Sequence, residues 1–265
     1  MRMMSIASGS KGNATYIGSD NTHLLIDAGV SKKKIVEGLK RADISLEDLD
    51  AILITHEHSD HIASLGILER TREIPLYATE GTLMQIHQKN CVNESSGLFN
   101  YITDGNQFTI GDISITAYKT SHDAAQPVCY KFSDGCAECA VVTDLGEYDD
   151  YLINNLQNQS AIIMEANHDI RMLQAGPYPY PLKLRVAGNK GHLSNESSGR
   201  LLSRLLNDNM KYIALGHLSQ KNNNKDLARL TVETEIDGDF YNNYKSADFR
   251  IDIAEQDTGT QIYIF

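Results

Sequence analysis

A short histidine-rich segment carries the clearest chemistry in this sequence. Residues 55–61 read THEHSDH and directly follow a short apolar run. In an extended segment alternate side chains point the same way, so His56 and His58 are placed to share one metal ion. Asp60 and His61 fall where a helix is predicted to begin, which turns their side chains towards a second ion. Imidazole combined with carboxylate favours zinc, manganese or iron over calcium.

The elements that must position this segment alternate between strand-like and helical patterns. Apolar pairs four residues apart, such as Ile35/Leu39 and Leu152/Leu156, predict amphipathic helices between the strands. This alternation predicts an α/β layered fold with helices outside the sheets, and without a linker we expect residues 1–265 to form a single domain. Short apolar runs predict strands at 3–7, 23–27, 51–55, 75–78, 113–118, 128–132, 140–143, 161–165, 211–216 and 261–265.

The composition excludes several classes of protein. The chain has 265 residues, of which 41% are hydrophobic and 22% charged, an ordinary balance for a globular protein. Apolar runs stay well short of the ~18 residues of a membrane span. Four cysteines predict no disulfide framework, so we expect a cytoplasmic protein without membrane contact. A net charge of −11 argues against coating nucleic acid by bulk charge, but it leaves a local grip on a few phosphates open.

The histidine-rich segment resembles the His-x-His-x-Asp-His signature of the metallo-β-lactamase superfamily. The resemblance implies an αββα sandwich with two divalent transition-metal ions (zinc, manganese or iron) at one edge. It implies that His56, His58 and His122 hold the first ion. Asp27 matches the strand-end aspartate that supports the metal loop in that family. The ligands implied for the second ion are Asp60, His61 and His217, with Asp144 bridging both ions.

Further strings resemble one branch of the superfamily, the YycJ (WalJ) family. They lie at 8–13, 165–169, 191–195 and 216–219. The YycJ family is bacterial and cytoplasmic, and it is related to the phosphodiesterase PhnP and to RNase Z. This resemblance implies a metal-dependent phosphodiesterase that acts on nucleic acid, and a DNA exonuclease in particular.

A glutamate and a histidine outside the ligand set match the Glu–His pair that RNase Z-like enzymes use. Breaking a phosphodiester requires a proton for the leaving oxygen, and a histidine such as His192 can supply it. Glu165 would orient that histidine and keep it cationic. We therefore predict His192, Glu165 and Asp60 as the catalytic residues. The alternative is that Glu165 caps a helix or pairs with a surface base and that His192 is a loop residue.

Basic and aromatic residues around His192 depart from the acidic average of the chain. Lys183, Arg185, Lys190 and Arg200 lie near Tyr178 and Tyr180, a combination that suits a channel for phosphates and stacked bases. A solvated loop explains the same pattern. In the opening glycine-rich turn, Ser10 and Lys11 are placed to meet a phosphate. His168 supports the site, contacts substrate or is structural. The predicted substrate contacts are Ser10, Lys11, Asn13, His168, Arg185, Lys190 and Ser194.

Three enzyme functions fit this set of residues. The leading prediction is a dinuclear metal phosphodiesterase on nucleic acid, with DNA expected rather than RNA. A phosphodiesterase for a small cyclic nucleotide or sugar phosphate is the alternative. A thioester or lactone hydrolase is the second alternative, although it would not need Glu165 and His192. The choice among the three metals, the polarity of digestion, the oligomeric state and any role of Cys136 and Cys139 stay open.

Overall fold

Two β-sheets lie between layers of helices in the computed structural model, which describes residues 1–89, 92 and 97–265. The strands are β1 Arg2–Ala7, β2 Ala14–Gly18, β3 His23–Ile26, β4 Ala51–Leu53, β5 Leu76–Thr79, β6 Phe99–Ile102, β7 Gln107–Ile110, β8 Ile113–Lys119, β9 Val128–Ser133, β10 Glu138–Val142, β11 Ala161–Glu165, β12 Tyr212–Gly216, β13 Arg250–Ile253 and β14 Tyr263–Ile264. The helices are α1 Lys32–Lys40, α2 Ser59–Ile62, α3 Leu65–Glu69, α4 Glu80–Gln88, α5 Asp150–Asn155, α6 Ile170–Ala175, α7 Tyr180–Ala187, α8 Asn195–Leu205 and α9 Lys225–Gly238, with short 3₁₀ turns at Leu46–Asp48 and Ser246–Asp248.

Each sheet has seven strands and changes from antiparallel to parallel along its width. The first has the order β14-β1-β2-β3-β4-β5-β6, and the second has the order β13-β12-β11-β10-β9-β8-β7. Strands β3 to β6 pair in parallel, as do β10 to β13. The carboxyl ends of parallel strands meet at one edge of a sheet, so residues that follow β3, β4, β10, β11 and β12 are brought to common edges.

Three hydrophobic clusters hold the four layers together. The central cluster packs the inner faces of the two sheets, with Met3 and Ile26 from one sheet against Tyr130 and Phe132 from the other. A second cluster packs α1 and α3 on the outer face of the first sheet, and a third packs α5, α8 and α9 on the outer face of the second. This order of helix, sheet, sheet and helix is the predicted αββα sandwich, and the fold prediction is confirmed.

The sequence pattern found most of the interior strands and missed three of the four strands at the sheet margins. All ten predicted ranges overlap strands. Of the unpredicted strands, β6, β7 and β13 lie at the edges of their sheets, where a strand has one neighbour and does not need a continuous apolar run. The fourth, β2, is central and fully buried, but it follows directly on the opening glycine-rich turn. Within the described residues, no helix has the length and apolar character needed to cross a membrane.

Candidate metal centre

Two predicted metal ligands, Asp144 and His217, and the supporting Asp27 lie where strands of the two sheets end. Asp27 follows β3, Asp144 follows β10 and His217 follows β12. All three have left-handed backbones, with φ of 62°, 59° and 55°. Positive φ is uncommon outside glycine and is most accepted by aspartate, asparagine and histidine, the very types found here. These sharp strand-end turns aim the three side chains into the space between the sheet edges.

Three histidines form the first cluster of donors. The Nε2 atom of His56 lies 3.0 Å from Nδ1 of His58, which lies 3.3 Å from Nε2 of His122. Two nitrogens bound to one tetrahedral zinc ion, each about 2.05 Å from it, lie about 3.3 Å apart. The other ring nitrogen of His122 contacts the carbonyl oxygen of Gly191 at 3.0 Å, which fixes the orientation of the ring. The spacing is that of ligands around one ion.

The second cluster combines a carboxylate with two histidines. The Oδ2 atom of Asp60 lies 3.6 Å from Nε2 of both His61 and His217. The Nδ1 atom of His61 lies 2.7 Å from Asp27 Oδ2, so its Nε2 atom faces the cluster. The Asp144 carboxylate lies between the two clusters. Its Oδ2 atom is 3.2 Å from Nε2 of His61, and its Oδ1 atom is 3.6 Å from Nε2 of His217.

Unsatisfied buried atoms show that this donor set fits metal ions. Among the described residues, Asp144 Oδ2 and His217 Nε2 are buried and have no hydrogen-bond partner. A buried carboxylate oxygen or imidazole nitrogen without a partner costs free energy, and coordination of a cation removes that cost. Both atoms face the second cluster, and Asp144 Oδ1 also lies 3.6 Å from His122 Nε2 of the first. We therefore keep Asp144 as the proposed bridging ligand.

The electrostatics of the centre favour cations. Burial, and then the nearby His61, lowers the pKa of His56 well below its usual value, which keeps its ring neutral and ready to ligate. Burial would also lower the pKa of His61 and His217, but carboxylates raise both pKa values well above the usual range. Asp27 and Asp144 act on His61, and Asp144 is the leading carboxylate at His217. The field that attracts a proton to these rings attracts a divalent cation equally.

A close backbone approach seats the metal loop against the first sheet. A Cβ atom on Gly29 would collide with the carbonyl group of Asp60, so only glycine fits there. Ala28 N–H donates to the carbonyl of His61 at 2.7 Å, and Asn13 N–H donates to the carbonyl of Asp60 at 2.8 Å. The end of the loop that carries Asp60 and His61 is therefore held by backbone contacts to the segments that follow β3 and precede β2.

Glu165 lies at the end of β11 and connects the metal centre to a histidine beside it. Its side chain is fully buried, and its Oε1 atom lies 2.7 Å from Nδ1 of His192 and 3.0 Å from Nδ1 of His217. Its Oε2 atom accepts the N–H groups of Leu145 and Leu193. Burial would raise the pKa of Glu165, but His192 and then His217 lower it to about 2. The carboxylate is ionised, and both of its oxygens have hydrogen-bond partners.

The fold and this arrangement of strand-end ligands place the protein in a known family. A family model described as a beta-lactamase superfamily domain matches residues 22–213, more than half of the chain. The chain belongs to the metallo-β-lactamase superfamily. The family predicted from the histidine-rich segment is confirmed.

Individual members of the superfamily resemble this chain over most of its length. The exodeoxyribonuclease YycJ of Bacillus anthracis is 38% identical over 234 residues, which cover 88% of this chain and 88% of the relative. The exodeoxyribonuclease WalJ of Streptococcus pneumoniae is 40% identical over 232 residues, with 87% and 86% covered. These relatives confirm the predicted resemblance to the YycJ (WalJ) family. The crystal structure of the metallo-beta-lactamase fold protein YhfI from Bacillus subtilis has a TM-score of 0.73 at 19% identity, covering 99% of this chain and 98% of that one, which supports the fold alone.

In this superfamily member the metal centre opens into a cleft of about 190 Å³, which we call the metal cleft. Besides ligands and His192, its walls include Ser10, Tyr178 and Arg185. The Arg185 guanidinium makes a two-point ion pair with the Asp123 carboxylate. His192 turns Nδ1 to Glu165, so Nε2 is the ring nitrogen left for the cleft. The cleft therefore brings together proposed ligands, a histidine held by a buried carboxylate, and an oriented arginine.

Three of the predicted substrate contacts, Asn13, His168 and Ser194, lie outside the residues that line the metal cleft. Asn13 is 5% exposed and its Nδ2 atom lies 3.1 Å from His61 Nε2, so it contacts ligands rather than the cleft surface. The Ser194 hydroxyl accepts the N–H of Ser197 and caps α8. His168 is 2% exposed and lies outside the residues that line the metal cleft.

The structure separates Ser10 and Lys11, the two residues of the opening turn that were predicted to meet a phosphate. The N–H groups of Gly9, Lys11 and Gly12 are taken by Asn13 Oδ1, Gln256 Oε1 and the Gly9 carbonyl. Backbone donors that are already satisfied are not available to an anion. The Lys11 side chain is exposed and does not line the metal cleft, whereas Ser10 does.

Sequence reasoning missed a set of buried amides behind the ligands. The Nδ2 atom of Asn167 donates to the carbonyl oxygen of His217 at 2.8 Å. Asn223 Nδ2 in turn donates to the carbonyl oxygens of Ala166 and Asn167. Asparagine usually predicts a turn or loop, so residue type alone gave no signal. The position of Asn167, two residues after β11, was the one available indication.

Proposed function

We propose that this chain is a divalent-metal-dependent exodeoxyribonuclease that uses two ions. The Glu165–His192 pair beside the predicted ligands is the observation that carries the proposal. An alkoxide leaves a phosphodiester poorly without a proton, and a held imidazole at the cleft wall is placed to donate one. Two relatives about 40% identical over most of the chain bear the name exodeoxyribonuclease, which supports DNA as the substrate.

The proposed ligands form two sets, one for each ion. His56, His58 and His122 would hold one ion and Asp60, His61 and His217 the other, with Asp144 between them. When bound, zinc, manganese or iron supplies charge for the phosphate oxygens and an activated water molecule. Ligands come from both sheets, which supports residues 1–265 as a single catalytic domain.

His192 is the proposed proton donor. Glu165 accepts from Nδ1 at 2.7 Å, which fixes the tautomer and directs Nε2 into the metal cleft. Nε2 then gives its proton to the leaving oxygen of the DNA strand. The fully buried Glu165 carboxylate is ionised and holds the ring in place without becoming protonated itself.

Asp60, Tyr178 and Arg185 are proposed to position water and substrate. Asp60 turns Oδ2 to His61 and His217, and the carboxylate is a quarter exposed, which leaves its other oxygen to orient the attacking water. Arg185 is held by Asp123 at the cleft wall, where a fixed guanidinium suits a phosphate. Tyr178 offers a ring face for a base, and Lys221 Nζ lies 5.8 Å from the ring centre.

The test is hydrolysis by purified protein stripped with a chelator and reloaded separately with zinc, manganese or iron. The substrates are end-labelled single-stranded and duplex DNA, matching RNA, bis(p-nitrophenyl) phosphate and a thioester. We expect mononucleotides to be released from DNA ends, more slowly from RNA, and metal analysis to give two ions per chain. Closed circular DNA is the matched control, because an exonuclease leaves it intact.

Each contrary result points to a different function. Cutting of circular DNA would show an endonuclease, and equal rates on RNA would remove the preference for DNA. Activity on bis(p-nitrophenyl) phosphate alone would favour a small-molecule phosphodiesterase. Turnover of the thioester alone would make Glu165 and His192 unnecessary for the reaction and would contradict the proposal.

A further inference from the structure

A second cleft lies against the metal cleft and shares His122 with it. Its cavity is about 640 Å³, and its lining includes Lys119, His122, Tyr148 and Lys190. We call it the lysine cleft. The metal cleft, at about 190 Å³, is smaller than the roughly 300–1,000 Å³ typical of a site that encloses a whole small ligand. The volume of the lysine cleft is within that range. The metal cleft and the larger lysine cleft are therefore separate spaces that meet at His122, a proposed metal ligand.

The loop that carries Lys190 is pinned from two sides. Ser121 Oγ donates to the carbonyl oxygen of Asn189 at 2.7 Å, and His122 Nδ1 lies 3.0 Å from the carbonyl oxygen of Gly191. The loop also packs closely on Gly146, where a Cβ atom would collide with the Asn189 carbonyl. The residues on either side of Lys190 are therefore fixed to the metal-binding loop, so the base of this exposed side chain has a set position relative to His122.

The charges of the lysine cleft suit a polyanion held by a few contacts. Lys190 is exposed and makes no ion pair within the described residues, so its ammonium group is free for a ligand. Lys119 Nζ lies 5.2 Å from the ring centre of Tyr151, a contact that keeps its charge while orienting it. Glu147 and Asp149 on the same lining equal the two lysines in number, so the contacts depend on where the ammonium groups lie rather than on net charge, and we expect modest affinity rather than tight binding.

An aromatic surface accompanies these charges. Tyr148 lines the cleft, and its half-buried ring packs on the hydrophobic cluster beneath the second sheet. A ring seated in this way loses little freedom when a nucleobase stacks on it, and stacking accepts every base. Ammonium groups and a fixed aromatic ring together match a single strand of nucleic acid better than they match a small phosphate ester.

We propose that the lysine cleft holds the part of the DNA strand that continues beyond the scissile phosphate. The occupant follows from continuity, because a strand whose phosphate lies at the metal cleft reaches the lysine cleft directly past His122. The inference rests on the proposed nuclease function. It adds that Lys119 and Lys190 select long strands over short ones, separately from Arg185 on the metal cleft.

The experiment measures how kcat/KM depends on strand length. The substrates are a dinucleotide and single strands of 4, 8 and 16 nucleotides, with wild type compared to the double variant Lys119→Ala/Lys190→Ala. We expect wild-type kcat/KM to rise with length and the double variant to lose roughly tenfold on the 16-mer, mainly through KM, with a smaller loss on the dinucleotide. The salt dependence of 16-mer binding should flatten by about 1.4 in logarithmic slope, since each lost phosphate contact removes about 0.7.

Two further variants control for charge. Lys33→Ala/Lys40→Ala removes the same net charge from exposed positions on α1 and should retain the wild-type length dependence. Glu147→Gln removes an exposed negative charge from the lysine cleft and should lower KM for the 16-mer. Opposite effects of the lysine and glutamate changes would tie the result to this cleft.

Comparison of the wild type with the double lysine variant distinguishes a wrong role for the lysine cleft from a wrong nuclease function. If wild type degrades DNA and the double lysine variant matches the α1 control, the lysine cleft does not hold the strand. Equal losses on dinucleotide and 16-mer would also overturn the inference, because they would place the lysines in folding or chemistry. If wild type hydrolyses none of the strands with any of the three metals, the nuclease proposal itself fails.

Discussion

The carboxylate of Glu165 lies 3.0 Å from Nδ1 of His217, on the opposite side of the ring from Nε2, the proposed ligand atom. The same oxygen lies 2.7 Å from Nδ1 of His192. One buried carboxylate therefore orients both a proposed ligand of the second ion and the proposed proton donor. From the sequence, Glu165 was predicted to orient His192 alone. Because it also contacts His217, we now expect different effects from changing Glu165 and from changing His192.

Glu165→Gln should weaken the second ion and lower turnover on every substrate. The neutral glutamine amide accepts weaker hydrogen bonds from the His192 and His217 rings than the carboxylate does. Loss of a hydrogen bond that orients a metal ligand typically lowers metal affinity 10–100-fold. Competition with a fluorescent chelator measures this affinity. Glu47→Gln, at an exposed glutamate that lines neither cleft, is the matched control. Wild-type metal affinity in Glu165→Gln would show that His217 does not depend on the carboxylate.

His192→Ala should keep both ions and lose the proton donor. Turnover of DNA should fall by roughly 10²–10⁴, whereas a p-nitrophenolate leaving group needs little protonation and should show a much smaller loss. Metal analysis and rates on the two substrates test this directly. His192 also lies close enough to Asp144, Glu165 and His217 to share a metal ion with them. Loss of an ion from His192→Ala would therefore show that His192 is itself a ligand. Equal losses on both substrates with the ions retained would indicate substrate positioning.

Asp144→Asn should prevent the binding of two ions and abolish nearly all turnover. A neutral amide bridges two cations poorly, yet asparagine accepts the φ of 59° found at this position, so the backbone should be preserved. Metal stoichiometry and a thermal unfolding curve distinguish a lost ligand from a lost fold. Two ions per chain with full activity would contradict the bridging assignment.

Arg185→Ala should raise KM for DNA about tenfold and flatten the salt dependence of DNA binding. Hydrolysis of bis(p-nitrophenyl) phosphate should fall less, because this small ester has no neighbouring phosphate to lose. Lys183→Ala, on the same helix, is the matched control: its ammonium group donates to the carbonyl oxygen of Gln174. Equal losses on DNA and the small ester would mean that Arg185 acts on Asp123 and the metal centre instead.

The folded protein should become less stable in mild acid because the buried His168 resists protonation. Burial lowers the pKa of His168 to about 4, whereas it is about 6.5 in the unfolded chain. Between these values the unfolded state binds the extra proton, so the free energy of unfolding falls as the pH falls from 6.5 to 4, by on the order of 3 kcal/mol. Urea unfolding across this range should show a smaller loss for His168→Gln. Equal losses in both proteins would show that His168 titrates normally.

The strand-end ligands were predictable because their surroundings leave signals in the sequence. His122, Asp144 and His217 each follow a short apolar run. Parallel pairing brings the ends of β10 and β12 to one edge, and β8 ends at the same edge because β8 and β10 are both antiparallel to β9. The contacts behind them were not predictable in the same way. Asn222 and Asn223 lie in a polar run that reads as a poorly ordered loop, yet both side chains are buried.

Substrate contacts were harder to predict because proximity in sequence is not proximity in space. Arg185 and Lys190 are five residues apart and were predicted to grip the same strand from one segment. Helix α7 ends between them, and Lys190 lies on the loop pinned by Ser121 and His122, so the two side chains line different clefts. The pinning contacts join residues 68 and 69 positions apart in the chain and have no local sequence signal.

The left-handed backbones at Asp27, Asp144 and His217 limit how this centre can be altered, by drift or by design. A side chain other than glycine, asparagine, aspartate or histidine at such a φ carries roughly 1–2 kcal/mol of strain before its chemistry is considered. Exchanging Asp144 for glutamate or His217 for cysteine therefore disturbs the turn as well as the ligand. Re-engineering the centre for another metal is best attempted at His58 or His122, which lie outside these turns.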